Sequence, residues 1–235
     1  MARRRNQKNE ELEDEVLVEQ LEKKDKSFSD ILEDNQKTII AVLLGLAILV
    51  AGWFAYNNLV RKPKMTNAAY QLSQAQNQFE QDSFTNALTN PGGGFPGFLE
   101  IIDQYGGTPA GNSAKYYAGV SYLHLGDFDK AIDYLESFKA VGTVLPAMKY
   151  GALGDAYSEK QDFSAALSNY SKAAKATENE FIAAEYYKKL GMLYEKQEDY
   201  SNALQAFKTL KEKYPTSVAG RDAEKLISRV SSRMN

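Results

Sequence analysis

The sequence predicts an all-α chain: a single N-terminal transmembrane helix followed by an α-solenoid of stacked helix pairs with a C-terminal capping helix. Three observations carry this. Thr38–Val60 is a run of 23 residues without a charge. From Thr66 onward, apolar and aromatic residues recur at spacings of three and four, with no sustained period of two. A set of glycines with fixed companions then returns at intervals of 35 and 37 residues, as stacked repeats do.

Residues 1–37 hold 8 Lys/Arg and 11 Asp/Glu, a net charge of −3. The first ten are too polar to bury a core and read as disordered. Within Glu10–Lys24, Leu12, Val16, Leu17 and Leu21 fall at helical spacing, which predicts a short amphipathic helix. It is either a solvated helix or a cytosolic docking helix for a membrane partner.

The uncharged run reads TIIAVLLGLAILVAGWFAYNNLV, with Lys37 before it and Arg61, Lys62 and Lys64 after it. At about 1.5 Å per residue it crosses a hydrocarbon core of about 30 Å. A helix satisfies its own backbone hydrogen bonds, which lipid demands. Trp53 and Tyr56 sit where amphipathic rings favour the interface. A secretory signal has a shorter apolar region close to Met1 and a small-residue cleavage site, neither of which is read here. Eight Lys/Arg precede the run and three follow within twenty residues, so the N-terminus is expected in the cytoplasm. In a bacterial inner membrane the larger C-terminal part is then periplasmic. The chain has no cysteine, which excludes disulfides and thiolate zinc sites and is compatible with an oxidising compartment.

Residues 61–66 are expected as a linker and 67–235 as the repeat domain. Gly and Pro cluster at Asn90–Gly97, Gly106–Gly111 and around Pro146 and Pro215, which read as loops or helix boundaries. Ser113, Thr177 and Thr216 are candidate helix-start residues. Gly119, Gly154 and Gly191 are each followed at three residues by Tyr122, Tyr157 and Tyr194. Asp127/Phe128, Asp162/Phe163 and Asp199/Tyr200 come next, then Ala131, Ala166 and Ala203, then Leu135, Tyr170 and Phe207. At the two ends, Tyr105, Ala110, Gly111 and Ala114 return as Tyr214, Ala219, Gly220 and Ala223, 109 residues later. Glycine inside a helix costs about 1 kcal/mol, so its recurrence requires close helix packing. One helix pair cannot bury its own apolar face, and stacking the pairs makes a continuous core.

The pattern Gly–x–x–Tyr … Asp–aromatic–x–x–Ala–x–x–x–aromatic, with Pro215 closing the last unit, resembles the tetratricopeptide repeat. The resemblance is strong from Ala114 to about Ser217 and weaker over Asn67–Tyr105, which lacks the glycine and carries the Asn90–Gly97 insertion. The charged leader, the anchor, the segment FLEIIDQYGGTPAGNSAKYYAGVSYL and a capping helix near Ala219–Arg233 together resemble the YfgM-like family. That resemblance implies an ancillary subunit of the Sec translocon in the bacterial inner membrane. Its periplasmic domain would work with a membrane-anchored periplasmic chaperone on emerging proteins. A rival reading is a scaffold for envelope assembly or cell division complexes.

Residues for chemistry are sparse. His124 is the one histidine, so no histidine metal site or Ser–His–Asp arrangement can form. Pro91–Gly97 lacks the Lys–Ser/Thr that follows a phosphate-binding loop. Glu178/Glu180 and Glu198/Asp199 fall at helix ends, where carboxylates cap or solvate. No basic patch suits nucleic acid. The chain is therefore expected to be non-enzymatic, without cofactor, metal or small-molecule substrate. The repeat resemblance implies that first helices line a groove. Its expected partner-facing residues are Tyr116, Val120, Leu123 and His124, then Gly151, Asp155, Ser158 and Glu159, then Lys188, Met192, Glu195 and Lys196.

Overall fold

A computed structural model describes residues 16–21, 33 and 35–234. The chain divides into two compact units, 1–62 and 63–235. In the first, residues 16–21 are helical with Val16, Leu17 and Leu21 exposed. The rest of the helix expected over Glu10–Lys24 lies outside the described residues. Helix α1 (Gln36–Tyr56) follows and passes into a π-helical stretch, Asn57–Arg61. Among the described residues, one helix is long and apolar enough to cross a membrane. Ile48, Leu49 and Val50 on it stand exposed. At its end the Asn58 amide donates to the Phe54 carbonyl at 2.9 Å, and Lys62 Nζ donates to Asn58 Oδ1 at 2.7 Å.

The second unit is helical throughout. Helix α2 (Lys62–Glu80) takes in residues 62–66, which were expected as a linker. It packs with α3 (Phe84–Thr89) and α4 (Phe98–Tyr105) around Leu72, Leu88, Phe98 and Ile101. The Asn90–Gly97 insertion separates α3 from α4. Three regular pairs follow: α5 (Pro109–His124) with α6 (Phe128–Ser137), α7 (Leu145–Glu159) with α8 (Phe163–Lys175), and α9 (Glu180–Lys196) with α10 (Tyr200–Lys213). The expected capping helix is two pieces, α11 (Val218–Arg221) and α12 (Ala223–Ser231).

The repeat residues have distinct jobs. Within each pair the chain turns through one left-handed residue: Gly126, Gln161 or Glu198. The following Asp donates its backbone N–H to the carbonyl of Tyr122, Tyr157 or Tyr194 at 3.0, 2.9 and 3.0 Å. Its carboxylate then caps the second helix, accepting from the N–H of Lys130, Ala165 or Asn202. Each repeat glycine lies against the residue sixteen positions on. A Cβ on Gly119 would sit 2.6 Å from Leu135 Cγ, and one on Gly154 would sit 2.5 Å from Tyr170 Cδ1. One on Gly191 would sit 2.6 Å from Phe207 Cδ1. These are far inside the 3.5–4.0 Å of carbon contacts, so the packing reading of the glycines holds.

Helix starts differ from the sequence reading. Ser113 lies inside α5, whose N-cap is Thr108, with Pro109 setting the first turn. Asn179, two residues after Thr177, caps α9 by accepting from Phe181 and Ile182 N–H. Ser217, one after Thr216, caps α11. Pro109–Gly111 and Pro146, read as loops or helix boundaries, lie at the boundaries, in the first turns of α5 and α7. Proline is tolerated there because the N–H it lacks has no intrahelical partner.

Candidate protein-binding face

The first helices α5, α7 and α9 stack in one register, so residues about 34 apart meet. Lys189 Nζ reaches Asp155 at 2.6 and 2.8 Å. Lys188 Nζ reaches Asp222 at 3.1 Å. Arg229 grips Glu195 through two nitrogens, at 2.9 and 2.5 Å, with Arg233 at 3.6 Å. Gly151 has no side chain because Tyr186 of α9 fills the place its Cβ would take.

Against this frame the expected groove residues sort into three groups. Tyr116, Val120 and Leu123 are half-buried and pack with Leu153 and Ala156 of α7. The Tyr116 ring tilts onto Phe138 at 5.4 Å. Burial, with Tyr117 and Asp155 adding to it, pushes the Tyr116 hydroxyl up to about 12. Asp155, Lys188 and Glu195 form the ion pairs above. Glu195 is only 9% exposed. Asp155 also accepts from the Tyr170 hydroxyl at 2.7 Å. His124, Ser158, Glu159, Met192 and Lys196 are the more open members. His124 is exposed and stacks on Phe84 with ring centres 4.3 Å apart.

Three of these, Ser158, Met192 and Lys196, line one open cleft of about 340 Å³ together with Tyr170, Lys189 and Leu193. Met192 is 49% exposed there. Lys196 Nζ sits 5.0 Å over the Phe163 ring, and Lys189 Nζ sits 5.6 Å over the Tyr170 ring. Burial drives the Tyr170 and Tyr186 hydroxyls above their ordinary range; Asp155 reinforces Tyr170, and Tyr116 then Asp155 reinforce Tyr186. These phenols stay protonated at neutral pH, and that of Tyr170 donates to Asp155. Among the described residues, no group of three or more His, Cys, Asp or Glu is placed to hold a metal ion. The sequence reading did not name Tyr170, Lys189 or Leu193 as face residues. Tyr170 was read only as the aromatic of the repeat pattern; its ring packs against Gly154 and its hydroxyl reaches Asp155. Lys189 is signalled by its charge, opposite to Asp155 and one repeat length away. A cleft with an apolar floor, two lysines and a thioether suits a protein segment with an apolar side chain and a nearby carboxylate.

Models of the tetratricopeptide repeat match residues 113–140 and 152–218. A crystal structure of MamA protein is similar in fold, with a TM-score of 0.51 and 17% sequence identity. The similarity covers 71% of this chain and 87% of that one. No curated protein matches the chain. The chain is thus an all-α protein carrying tetratricopeptide repeats, a repeat whose domains bind protein partners.

Proposed function

We propose that this chain is a single-pass inner-membrane adaptor, with residues 38–60 as its anchor, its N-terminus in the cytoplasm and its repeat domain in the periplasm. The repeat domain binds protein partners and has no enzymatic role. The reading is supported most by the cleft between α7, α8 and α9, open and lined by Met192, Lys189 and Lys196, in a chain whose α1 is apolar enough to span a bilayer. The partners proposed are the Sec translocon and a membrane-anchored periplasmic chaperone acting on emerging proteins. The mechanism is tethering: an anchor beside the channel raises the effective concentration of chaperone near its clients without new contacts.

The test is a mild-detergent capture of the tagged full-length chain from native membranes, beside Met192→Glu/Lys196→Glu. Translocon subunits and a periplasmic chaperone retained by the parent and lost by the double variant support the reading. Capture of division or outer-envelope proteins instead, unaffected by the double variant, overturns it.

A further inference from the structure

The repeat unit has two long edges. On one, the first helix of each pair turns into the second through Gly126, Gln161 and Glu198. On the other, each pair hands over to the next through residues 106–108, 138–144, 176–179 and 214–217. Large apolar side chains are exposed unequally on the two. The nine exposed between residues 63 and 234 are Tyr70, Leu125, Val141, Val144, Leu145, Phe181, Met192, Val218 and Met234. Five of them (Val141, Val144, Leu145, Phe181 and Val218) stand on or beside the hand-over segments, and only Leu125 lies at a turn within a pair. Val141, Phe181 and Val218 are 71%, 65% and 66% exposed. They come from three successive hand-overs on one edge, a recurrence that single scattered apolar residues do not show.

The hand-over edge is also where the chain enters the repeat unit. Entry is at Pro63, in the first turn of α2, and α2 runs parallel to α5. Asn67, early in α2, donates to the Tyr105 hydroxyl at 2.9 Å just before α5 begins. Phe79, late in α2, meets Tyr117 well along α5 at 5.1 Å. Only residues 57–62 separate the end of α1 from Pro63. Even fully extended, six residues reach about 20 Å. A bilayer holding α1 is thereby close to the point where the chain enters this edge.

We infer that the hand-over edge of the repeat unit, through Val141, Phe181 and Val218, docks on the surface of the bilayer that holds α1. The inference rests on the reading of α1 as a membrane span. Charged neighbours on this edge are of both signs, Lys139, Lys213 and Arg221 with Glu178, Glu180 and Glu212. Docking is therefore driven by these apolar side chains and does not require anionic lipid.

The chain lacks cysteine, so single substitutions give unique labelling sites. The full-length chain carrying Phe181→Cys, Val218→Cys, Leu125→Cys or Ile48→Cys is spin-labelled and reconstituted in phosphatidylcholine vesicles. Collision rates with oxygen and with a water-soluble nickel chelate are then compared. Docking predicts an oxygen-to-chelate ratio at 181 and 218 severalfold above that at 125, approaching that at 48. Water-like ratios at 181, 218 and 125 with a lipid-like ratio at 48 overturn the docking and leave the anchor intact. A water-like ratio at 48 overturns both.

Discussion

Gly154→Ala tests the packing argument most directly. The added Cβ falls 2.5 Å from both Cδ1 and Cε1 of Tyr170. Ordinary carbon contact begins near 3.5 Å, so ring and helix must part by about 1 Å. The ring has little room to retreat. It is 5% exposed, and its hydroxyl is held by Asp155 at 2.7 Å, which Lys189 holds in turn. Overpacking of this kind costs about 1–3 kcal/mol, and a tethered ring belongs in the upper half. Replacing glycine by alanine within a helix returns about 1 kcal/mol. The net is a loss of about 1–2 kcal/mol, or about 2–8 °C in melting temperature at 2–4 °C per kcal/mol. The assay is thermal unfolding of the full chain in detergent, followed by far-ultraviolet circular dichroism. Tyr170→Leu and the double variant complete a cycle, in which the two losses should fall short of additive by about 1 kcal/mol. A midpoint that stays level or rises for Gly154→Ala, or an additive cycle, refutes the argument.

Gln161→Gly and Glu198→Gly should each stabilise. They relieve φ values of 62° and 61° at about 1–2 kcal/mol but give back about 0.4–1 kcal/mol in unfolded-state entropy, a net gain of up to about 1.6 kcal/mol readable as a raised denaturation midpoint. Ser217→Ala should cost about 1–3 kcal/mol, because it strands the buried Gly220 N–H that now donates to Ser217 Oγ at 2.9 Å; no change in midpoint would deny the cap a role. The buried tyrosines predict alkaline unfolding. Tyr116 is raised from 10.0 to about 12, so the folded state keeps its proton while the unfolded state releases it. The stability this contributes is full below pH 10 and lost as pH rises towards 12; Tyr170 and Tyr186 act in the same direction. Absorbance at 295 nm should show a group of tyrosines that ionise only with loss of helicity, and smooth ionisation of all near pH 10 would contradict this.

Much of the repeat architecture was legible because each repeated residue has one demanding neighbour. Gly119, Gly154 and Gly191 admit no Cβ, and their partners sixteen positions on are large, so both ends of each contact show in the sequence. The matched Tyr–Ala–Gly–Ala segments were visible too, but the hydroxyls inside them were not read. Thr108 and Ser217 each donate to the tyrosine carbonyl three residues back, at 2.8 Å in both cases, and accept the glycine N–H three residues on. Thr and Ser differ in letter and share the hydroxyl, so a match by residue identity passes over them. The left-handed turns at Gln161 and Glu198 were hidden because neither is a glycine; the hydrogen bonds around the turn impose the conformation, not the residue's preference. Helix starts slipped by one to five residues because several hydroxyl and amide side chains compete near each boundary, and geometry selects among them.

The charges of the candidate face illustrate what register can decide that residue type cannot. Asp155, Lys188 and Glu195 read as recognition residues because the repeat places them on first helices. One repeat length further on, each meets an opposite charge: Lys189, Asp222 and Arg229. Asp155 and Lys189 are 34% and 33% exposed, so their pair contributes little energy, on the order of 0.2–1 kcal/mol. Their effect is geometric: a wrong register would set like or unpaired charges side by side on a half-buried face. Glu195 differs, being 9% exposed and held by two guanidinium groups, so losing Arg229 would leave a carboxylate with poor access to water. The capping helix thereby adds a charge pair to the apolar packing of Ala223, Leu226 and Val230 against Phe207 and Leu210. With these charges paired to one another, the proposed recognition on this face is left to Ser158, Met192, Lys196 and the edge of Tyr170. In the proposed recognition an apolar contact there would set affinity, and Lys196, over the Phe163 ring, would meet a partner's carboxylate.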